Sequence, residues 1–289
     1  MIPRFVKRVA RLALVLAVAA PAFAQQKRFT LEEVLKMSPE QRATLTEAQL
    51  RDAMSVGIEK KSSLSQPFFR GAPGTSSGSP SAFGAVWRDA FIGGGVQQAR
   101  GGGDTDGSIA GGFGLGNAKD AVGLEVVVVS LSTFRSGLFD RTAFSFKAHH
   151  MVSSSAAIAV GVENAVIAGG GKTDGFQSVF AAASKVLWPK SGPISQWTLS
   201  GGVGNGRFRF EKDALKDKKT INFFGSVGAQ FHPQASVIAD WSGQDLAVGL
   251  SVVPIKQFPV IITPAIADLT GQNGNDPRFT LGFGLGIRF

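Results

Sequence analysis

The sequence predicts an all-β protein, a transmembrane antiparallel up-and-down β-barrel of about 12 strands preceded by a short N-terminal helical segment. First, apolar residues recur at every second position in segment after segment from about residue 87 onward, the period of a strand with one apolar face. Second, each segment is close to the roughly 9–11 residues that cross a bilayer at a tilt. Third, short and long connectors alternate along this region, as turns and outer loops do in bacterial barrels.

Residues 1–24 have the pattern of a secretory signal peptide. Four basic residues precede an apolar run over 12–20, and the small-x-small sequence Ala22-Phe23-Ala24 follows. A membrane anchor is the alternative, but the apolar run is too short to span a bilayer. Cleavage after Ala24 leaves 26 of the 30 basic residues against 21 acidic ones, so the formal net charge falls from +9 to +5. The basic pI of the precursor therefore does not indicate nucleic-acid binding.

The composition narrows the function classes. Without cysteine, the chain has no disulfide, no thiolate metal site, no cysteine nucleophile and no lipid-modified N-terminal cysteine. Few charged residues and 37 glycines favour a β-rich chain over a helical enzyme. No stretch after the signal peptide has about 20 consecutive apolar residues, so no transmembrane helix is predicted. The fold alternative to a barrel is a soluble periplasmic β-sandwich.

Residues 25–64 predict a periplasmic segment of two short amphipathic helices. Thr30, followed by two glutamates, is a plausible first helix start, and Ser38-Pro39-Glu40 begins the second. Residues 65–84, rich in Pro, Gly and Ser, predict a flexible linker. The helices either wait for a periplasmic partner or dock in the barrel as a plug. Apolar helix faces need apolar partners, and a lumen lined with charge favours the mobile arrangement.

The barrel domain is predicted over residues 85–289. Its alternation places candidate strands near 87–97, 107–116, 122–133, 141–151, 156–166, 176–187, 196–205, 220–231, 234–241, 245–253, 257–267 and 278–289. The third strand is expected to contain a bulge, because its apolar parity switches between Val129 and Leu131.

The last strand predicts the orientation of the barrel. In "RFTLGFGLGIRF", apolar residues alternate with Thr280, three glycines and Arg288 up to the terminal Phe289. If this strand ends in the periplasm, the connectors on that side are all short, and the longest one, "GNGRFRFEKDALKDKK", lies outside. The apolar face of the strand then meets lipid, and Phe289 lies at the periplasmic interface, where aromatic rings are favoured.

Two features resemble known outer-membrane proteins. A terminal phenylalanine on an alternating strand resembles the signature by which outer-membrane barrels are recognised, which implies that Phe289 is an assembly signal read by the barrel-assembly machinery. Residues 235–269 contain an acidic-aromatic strand end, a Gly-x-Asp turn and a strand ending in Pro. They resemble the final hairpins of the YjbH-type outer-membrane proteins linked to exopolysaccharide production. Those proteins are longer and often lipoproteins, whereas this chain has no cysteine.

The candidate catalytic residues are few. "HHMVSSS" brings His149 and His150 near three serines over 153–155, and a barrel lipid hydrolase would need such a base and nucleophile. The His-x-Ser-Asn-Gly arrangement of outer-membrane phospholipase is missing. We therefore expect one histidine to point to the lumen and the other to the interface. No enzyme activity, cofactor or metal site is predicted, since the glycine runs match neither a phosphate loop nor an EF-hand.

Two polar sets are the candidate functional residues. Lumen-facing charges are predicted at Glu125, Lys147, Glu163, Lys185, Asp240, Asp245 and Arg288. They either pair and close a small lumen or line a pore. An extracellular basic loop is predicted at Arg207, Arg209, Lys212, Lys216, Lys218 and Lys219. That loop is either a plain solvated charged loop or a contact for lipopolysaccharide phosphates or an acidic polysaccharide.

The function expected from these patterns is passage of a small solute across a Gram-negative outer membrane, or a role in envelope polysaccharide export. The alternatives are a structural or adhesive barrel without a pore and, at a greater distance, the lipid hydrolase. The expected partners are outer-membrane lipid, lipopolysaccharide, the assembly machinery and a periplasmic partner for the helices. No nucleic acid is among them.

Overall fold

The computed structural model describes residues 31–45, 72–98, 105–131, 141–169, 177–214, 216, 218–255, 257–271 and 276–289. The predicted signal peptide therefore lies outside the described residues. Residues 25–30 of the predicted helical segment, including Thr30, its residues 46–64, and residues 65–71 of the linker lie outside them too. The chain divides into two compact units, Met1–Lys61 and Ser62–Phe289, and each is described by itself.

In its described residues, the first unit has two short helices, α1 (Leu31–Lys36) and α2 (Pro39–Ala43). The second helix begins where the sequence predicts, because Ser38 accepts a hydrogen bond from the backbone of Gln41 and the Gln41 side chain accepts one from the backbone of Ser38. Such a capping box satisfies two donors that a helix start otherwise leaves open. Within the described residues, no helix is long and apolar enough to cross a membrane.

The second unit is a closed antiparallel barrel of 12 strands in which each strand pairs with its sequence neighbours and β1 pairs with β12. The strands are β1 (Asp89–Gln97), β2 (Asp106–Gly116), β3 (Gly123–Ser130), β4 (Arg141–Ser153), β5 (Ala156–Gly169), β6 (Ser178–Leu187), β7 (Gln196–Gly204), β8 (Asn222–His232), β9 (Ala235–Trp241), β10 (Leu246–Val252), β11 (Val260–Ala267) and β12 (Arg278–Arg288). The predicted class and strand count are confirmed, and the closed sheet replaces the β-sandwich alternative.

Long connectors gather at one end of the barrel, as the sequence predicts. We call the end where β1 begins and β12 finishes the terminal end, and the opposite end the loop end. The connector between β7 and β8 at the loop end contains a 3₁₀ turn, Gly206–Phe208, and a short helix, α3 (Glu211–Ala214). At the terminal end, only two residues separate β4 from β5 and β8 from β9.

Successive residues point alternately out of the barrel and into its lumen. In β8, Phe223 is 77% exposed whereas Phe224 is buried, and in β9 the exposed Val237 lies between the buried Ser236 and Ile238. The exposed set is the apolar one, so the outer surface of the barrel is hydrophobic. This is the reverse of a soluble protein, in which the apolar face of a strand covers the core.

The bulge expected in β3 is absent, because β3 pairs with β2 without interruption from Gly123 to Ser130. Its parity stays constant, and both Val129 and Leu131 line the lumen. Register shifts occur instead between β4 and β5 and between β8 and β9. The apolar parity switch therefore reflects a partly apolar lumen, not a change of backbone register.

An aromatic cluster fills the side of the lumen beside β5 to β8. Phe208 stacks on Phe224 with ring centroids 4.4 Å apart, and Phe180 contacts both rings edge-on. Phe83, which precedes β1, is buried in the same cluster. Edge-on and offset ring contacts stabilise such clusters beyond their buried area, so this half of the lumen is packed like a protein core.

Candidate functional site

The lumen contains a segment of the chain itself, residues 72–86, which we call the inner segment. Near its start, the Gly74 amide donates to Ser251 Oγ over 2.7 Å, and Ser236 Oγ donates to the Gly74 carbonyl over 2.6 Å. Ser236 and Ser251 lie near the terminal end of β9 and β10. Residues 72–84, which the sequence predicts as flexible linker, are instead held against the inner wall.

The middle of the inner segment turns around one carboxylate near the loop end. Asp240 Oδ2 accepts hydrogen bonds from Ser76 Oγ and from the amides of residues 77–79 over 2.7–3.1 Å. Asp240 Oδ1 also accepts one from Ser79 Oγ. Asp240 is only 2% exposed. Hydrogen bonds to an ionised acceptor are each worth more than neutral ones, so this carboxylate is the main anchor of the turn.

Arg207, in the loop between β7 and β8, supports the same turn. Arg207 Nη2 donates to the Gly78 carbonyl over 2.9 Å and to Glu163 Oε1 over 2.9 Å. Burial alone lowers the pKa of the Arg207 guanidinium, but the charge and hydrogen bond of Glu163, together with the charge of Asp240, raise that pKa above its ordinary value. The guanidinium therefore stays charged and joins the turn to β5.

The inner segment then returns to the terminal end along β6, β4 and β3. The Ala82 amide donates to Ser184 Oγ over 2.9 Å, and Lys147 Nζ donates to the Phe83 carbonyl over 2.9 Å. Two more contacts fix Ala85: its amide donates to Glu125 Oε2 over 2.8 Å, and its carbonyl lies 2.9 Å from His149 Nε2. The segment thus enters and leaves at the same end of the barrel, and β1 begins directly after it.

Where the inner segment lies, the side chains of the inner wall are small and many carry hydroxyl groups. Four lumen positions on neighbouring strands are in register and form one row, Ser184, Ser200, Ser226 and Asp240. Two glycines permit close approach: a Cβ on Gly228 would lie 2.9 Å from Thr75 Cα, and one on Gly114 would lie 2.3 Å from the Ala85 carbonyl carbon. Larger residues at these positions would displace the segment from the wall.

The other side of the lumen encloses a cavity of about 750 Å³. It lies between the turn of the inner segment and a wall formed mainly by β1, β2 and β10 to β12. Glycines face one another across the pairing of β1 with β12, as Gly93 opposite Gly284 and Gly95 opposite Gly282. Because these positions have no side chains, the wall of the cavity there is bare backbone.

Most of the predicted lumen-facing charges lie inside the barrel, where each forms an ion pair or hydrogen bonds with other residues. Lys147 forms an ion pair with Glu125 at 3.0 Å. Glu163 and Asp240 contact Arg207 and the inner segment, respectively. Asp245 accepts from the backbone and the hydroxyl of Thr270.

At the terminal end, Arg288 forms a two-point ion pair with Asp89, with distances of 2.6 and 2.9 Å. This pair joins the first strand to the last, and Asp89 is not among the predicted lumen-facing charges. Lys185 departs from the prediction, because it shares the exposed face of β6 with Ala181, Ala183 and Leu187. A long side chain near a strand end can extend its ammonium toward an interface while its methylene groups remain against apolar surface.

The predicted basic loop is split between two environments. Arg207 points to the inner segment, and the buried Arg209 donates to the carbonyls of Gly206 and Lys218. Lys218 pairs with Asp213 at 3.4 Å, and Lys212 lies over the ring of Phe210. Lys216 and Lys219 are exposed. The two arginines of the set thus stabilise the loop and the turn, so only part of the set faces solvent.

The two histidines point to opposite sides of β4. His149 is buried in the lumen against Ala85, whereas His150 contacts the Ala121 carbonyl at the exposed face. In the described part of the chain, neither ring forms a hydrogen bond with Ser153 or Ser155, which lie within reach of each other. These residues do not assemble the base and nucleophile that the hydrolase alternative needs. No cluster of three or more metal-ligating residues occurs among the described residues.

Replacing Asp240 with alanine is expected to release the turn of the inner segment, because the donors of residues 76–79 lose their shared acceptor. The chain has no cysteine, and a Cβ on Gly78 would have no atom within 4 Å. A Gly78→Cys reporter should therefore react with a maleimide severalfold faster in the Asp240→Ala background. Asp213→Ala, in the outer loop, is the control and should leave the labelling rate unchanged. Equal rates in both backgrounds would contradict the anchoring role of Asp240.

Comparisons with known proteins give a likeness at the level of fold. No family model matches the chain, and no curated protein matches it. Among solved structures, a KdgM porin is similar with 10% identity and a TM-score of 0.40, over 70% of this chain and 99% of the porin. The outer membrane protein Omp33 of Acinetobacter baumannii is similar with 9% identity and a TM-score of 0.40, over 70% of this chain and 98% of Omp33. Likeness at this level identifies no solute, partner or mechanism.

Proposed function

We propose that this chain is a porin-like barrel of a Gram-negative outer membrane that passes a small polar solute, and that the inner segment narrows its lumen. The observation that carries the proposal is the distribution of apolar side chains: they cover the outside of the barrel, whereas a cavity lined by both polar and apolar residues lies within. Contiguous exposed apolar surface of this extent marks contact with lipid or protein. A closed sheet is also the β-structure that leaves no unpaired edge in a bilayer.

A belt of aromatic side chains supports the membrane placement. Exposed rings surround the terminal end of the barrel at Trp87, Trp188, Trp197, Phe231, Phe258 and Phe289. Aromatic girdles of this kind lie at the membrane interfaces of outer-membrane barrels. We infer that the terminal end faces the periplasm, which agrees with the two-residue connectors at that end and the longest connector at the other. Phe289 is two-thirds exposed on this belt, where the assembly machinery could read it as the proposed assembly signal.

The dimensions of the lumen favour a small solute over a polysaccharide. With the inner segment in place, the cavity of about 750 Å³ is in the range of sites that hold one small molecule. An extended polymer would need the whole inner segment to leave. A barrel without a pore is the competing possibility, and it predicts no conductance in any state.

Conductance in planar bilayers tests the proposed path, and two glycines provide a matched pair of variants. A Cβ on Gly282 would point into the cavity with no neighbour closer than 3.7 Å, and one on the exposed Gly201 would have no neighbour closer than 3.9 Å. Gly282→Leu should lower single-channel conductance to less than half, because the side chain occupies the cavity. Gly201→Leu, at the outer face, should leave conductance unchanged. Equal conductance in the two variants would place the path elsewhere.

A further inference from the structure

The charged groups that line the cavity balance in sign. Among the residues that the structure describes, they are three arginines and three aspartates, Arg141, Arg207, Arg278, Asp240, Asp245 and Asp268. The formal charge of the described lining is therefore zero. By contrast, a pore that selects ions by charge carries rings of one sign.

These charges are also engaged with the protein itself. Arg278 pairs with Asp268 at 2.8 Å, and Arg207 pairs with Glu163, which lies outside the cavity lining. Asp240 is occupied by the inner segment, and Asp245 by Leu246 and Thr270. An ionic solute would have to leave part of its hydration shell without gaining an uncompensated counter-charge, and desolvation of a charge without a partner is costly.

The rest of the lining suits a solute that forms neutral hydrogen bonds. Hydroxyls of Ser108 and Thr280 line the cavity beside the glycine backbone of β1 and β12. Thr280 Oγ1 makes one long hydrogen bond of 3.4 Å to the protein, so it can exchange that bond for one to a solute. Phe283 is the only aromatic residue among the described lining residues, and its side chain belongs to the outer face, with 46% exposure. Without an aromatic platform for stacking, binding is weak, as conduction requires.

We propose that the cavity selects uncharged, hydroxyl-rich solutes of about the size of a monosaccharide or sugar alcohol and disfavours both anions and cations of the same size. This inference rests on the proposed function, because it assigns a solute class to the same lumen. The balance of charge at the cavity wall is the property that sets the selectivity, so a change of one charge changes the preferred solute.

Tracer uptake into proteoliposomes with three solutes of one carbon skeleton tests the inference. Sorbitol is neutral, gluconate is an anion and N-methyl-D-glucamine is a cation, and equal KCl on both sides lets small ions balance the charge that moves. For the full mature chain, sorbitol should enter severalfold faster than either ion. Faster entry of gluconate or N-methyl-D-glucamine would overturn the assigned class while leaving pore function intact. Absence of flux for all three solutes would overturn the proposed function and this inference with it.

A charge variant tests the cause of the selectivity. Asp268→Asn removes one of the three described lining carboxylates, so the charge of the described lining becomes +1. The uptake rate of gluconate should then rise relative to that of sorbitol. Asp213→Asn removes a carboxylate of the outer loop that does not line the cavity, and the ranking should stay as in the unmodified chain. An unchanged ranking in Asp268→Asn, with the barrel folded by its heat-modifiable gel mobility, would show that charge balance does not determine selectivity.

Discussion

Removal of residues 25–84 is expected to raise the single-channel conductance of the refolded barrel severalfold while the barrel still folds. The deletion takes away the turn anchored by Asp240 and the return limb that lies on Ser184, so the space that they fill becomes water. The contacts of Ala85 with Glu125 and His149 are kept. The sequence alone leads to the opposite expectation, that deletion of residues 25–80 changes conductance little, because a lumen lined with charge gives the apolar helix faces no partner.

Folding should survive this deletion because the barrel wall is complete without the inner segment. All 12 strand pairings are made between residues 89 and 288. The lumen charges freed by the deletion become solvated, which avoids the cost of a buried unpaired charge. Loss of Phe83 from the aromatic cluster removes some apolar contact, so we expect lower stability but not loss of the fold.

A shorter deletion separates the two parts of the N-terminal region. Removal of residues 25–64 takes away α1 and α2 but leaves the inner segment, and we expect unchanged conductance. The single-channel conductance of both deletion variants is recorded in planar bilayers and compared with that of the full mature chain. If the longer deletion conducts no better than the full chain, the inner segment does not restrict the lumen. If the shorter one conducts as well as the longer one, the helices are the restriction.

Val248→Lys is expected to destabilise the barrel by about 2–4 kcal/mol, the cost of a lysine on the lipid face near the bilayer midplane. Val248 is 39% exposed on the outer face and pairs with Ala239 of β9 and Ile266 of β11. Ala247, one residue earlier, lines the cavity. Ala247→Lys therefore keeps its ammonium in water and should cost less than Val248→Lys.

Urea unfolding of the two variants in lipid vesicles, with gel mobility as the readout of the folded barrel, measures this difference. The two substitutions add the same side chain to adjacent residues of one strand, so they differ only in the side of the wall that receives the charge. Equal losses of stability would mean that the outer face of β10 does not meet lipid. A greater loss for Ala247→Lys would show that crowding in the cavity outweighs the charge at the lipid face.

The alternating pattern predicts the barrel, its strand count and its strand positions, and each strand end lies within three residues of the prediction. It does so because one face of most strands is apolar and the other is polar or small, and alternation fixes both the strand and its orientation. In β8, for example, Phe223 and Val227 lie on one face and Ser226 on the other, which identifies the apolar face. The pattern is weaker in β6, where Phe180 and Val186 face the lumen and apolar residues also face outward. For that reason Lys185 was assigned to the wrong side.

The residues that occupy the lumen are evident only in the folded chain. The inner segment has no periodicity to read, because the wall holds it through backbone amides and carbonyls and through small hydroxyl side chains. The serines at 76–81 form hydrogen bonds with residues more than a hundred positions later, such as Asp240 and Ser184. No local stretch of sequence contains both partners. Local composition describes such a stretch as a linker, since Gly, Ser and Pro favour flexibility when nothing accepts their hydrogen bonds. A buried carboxylate facing those donors makes the same residues an ordered part of the lumen.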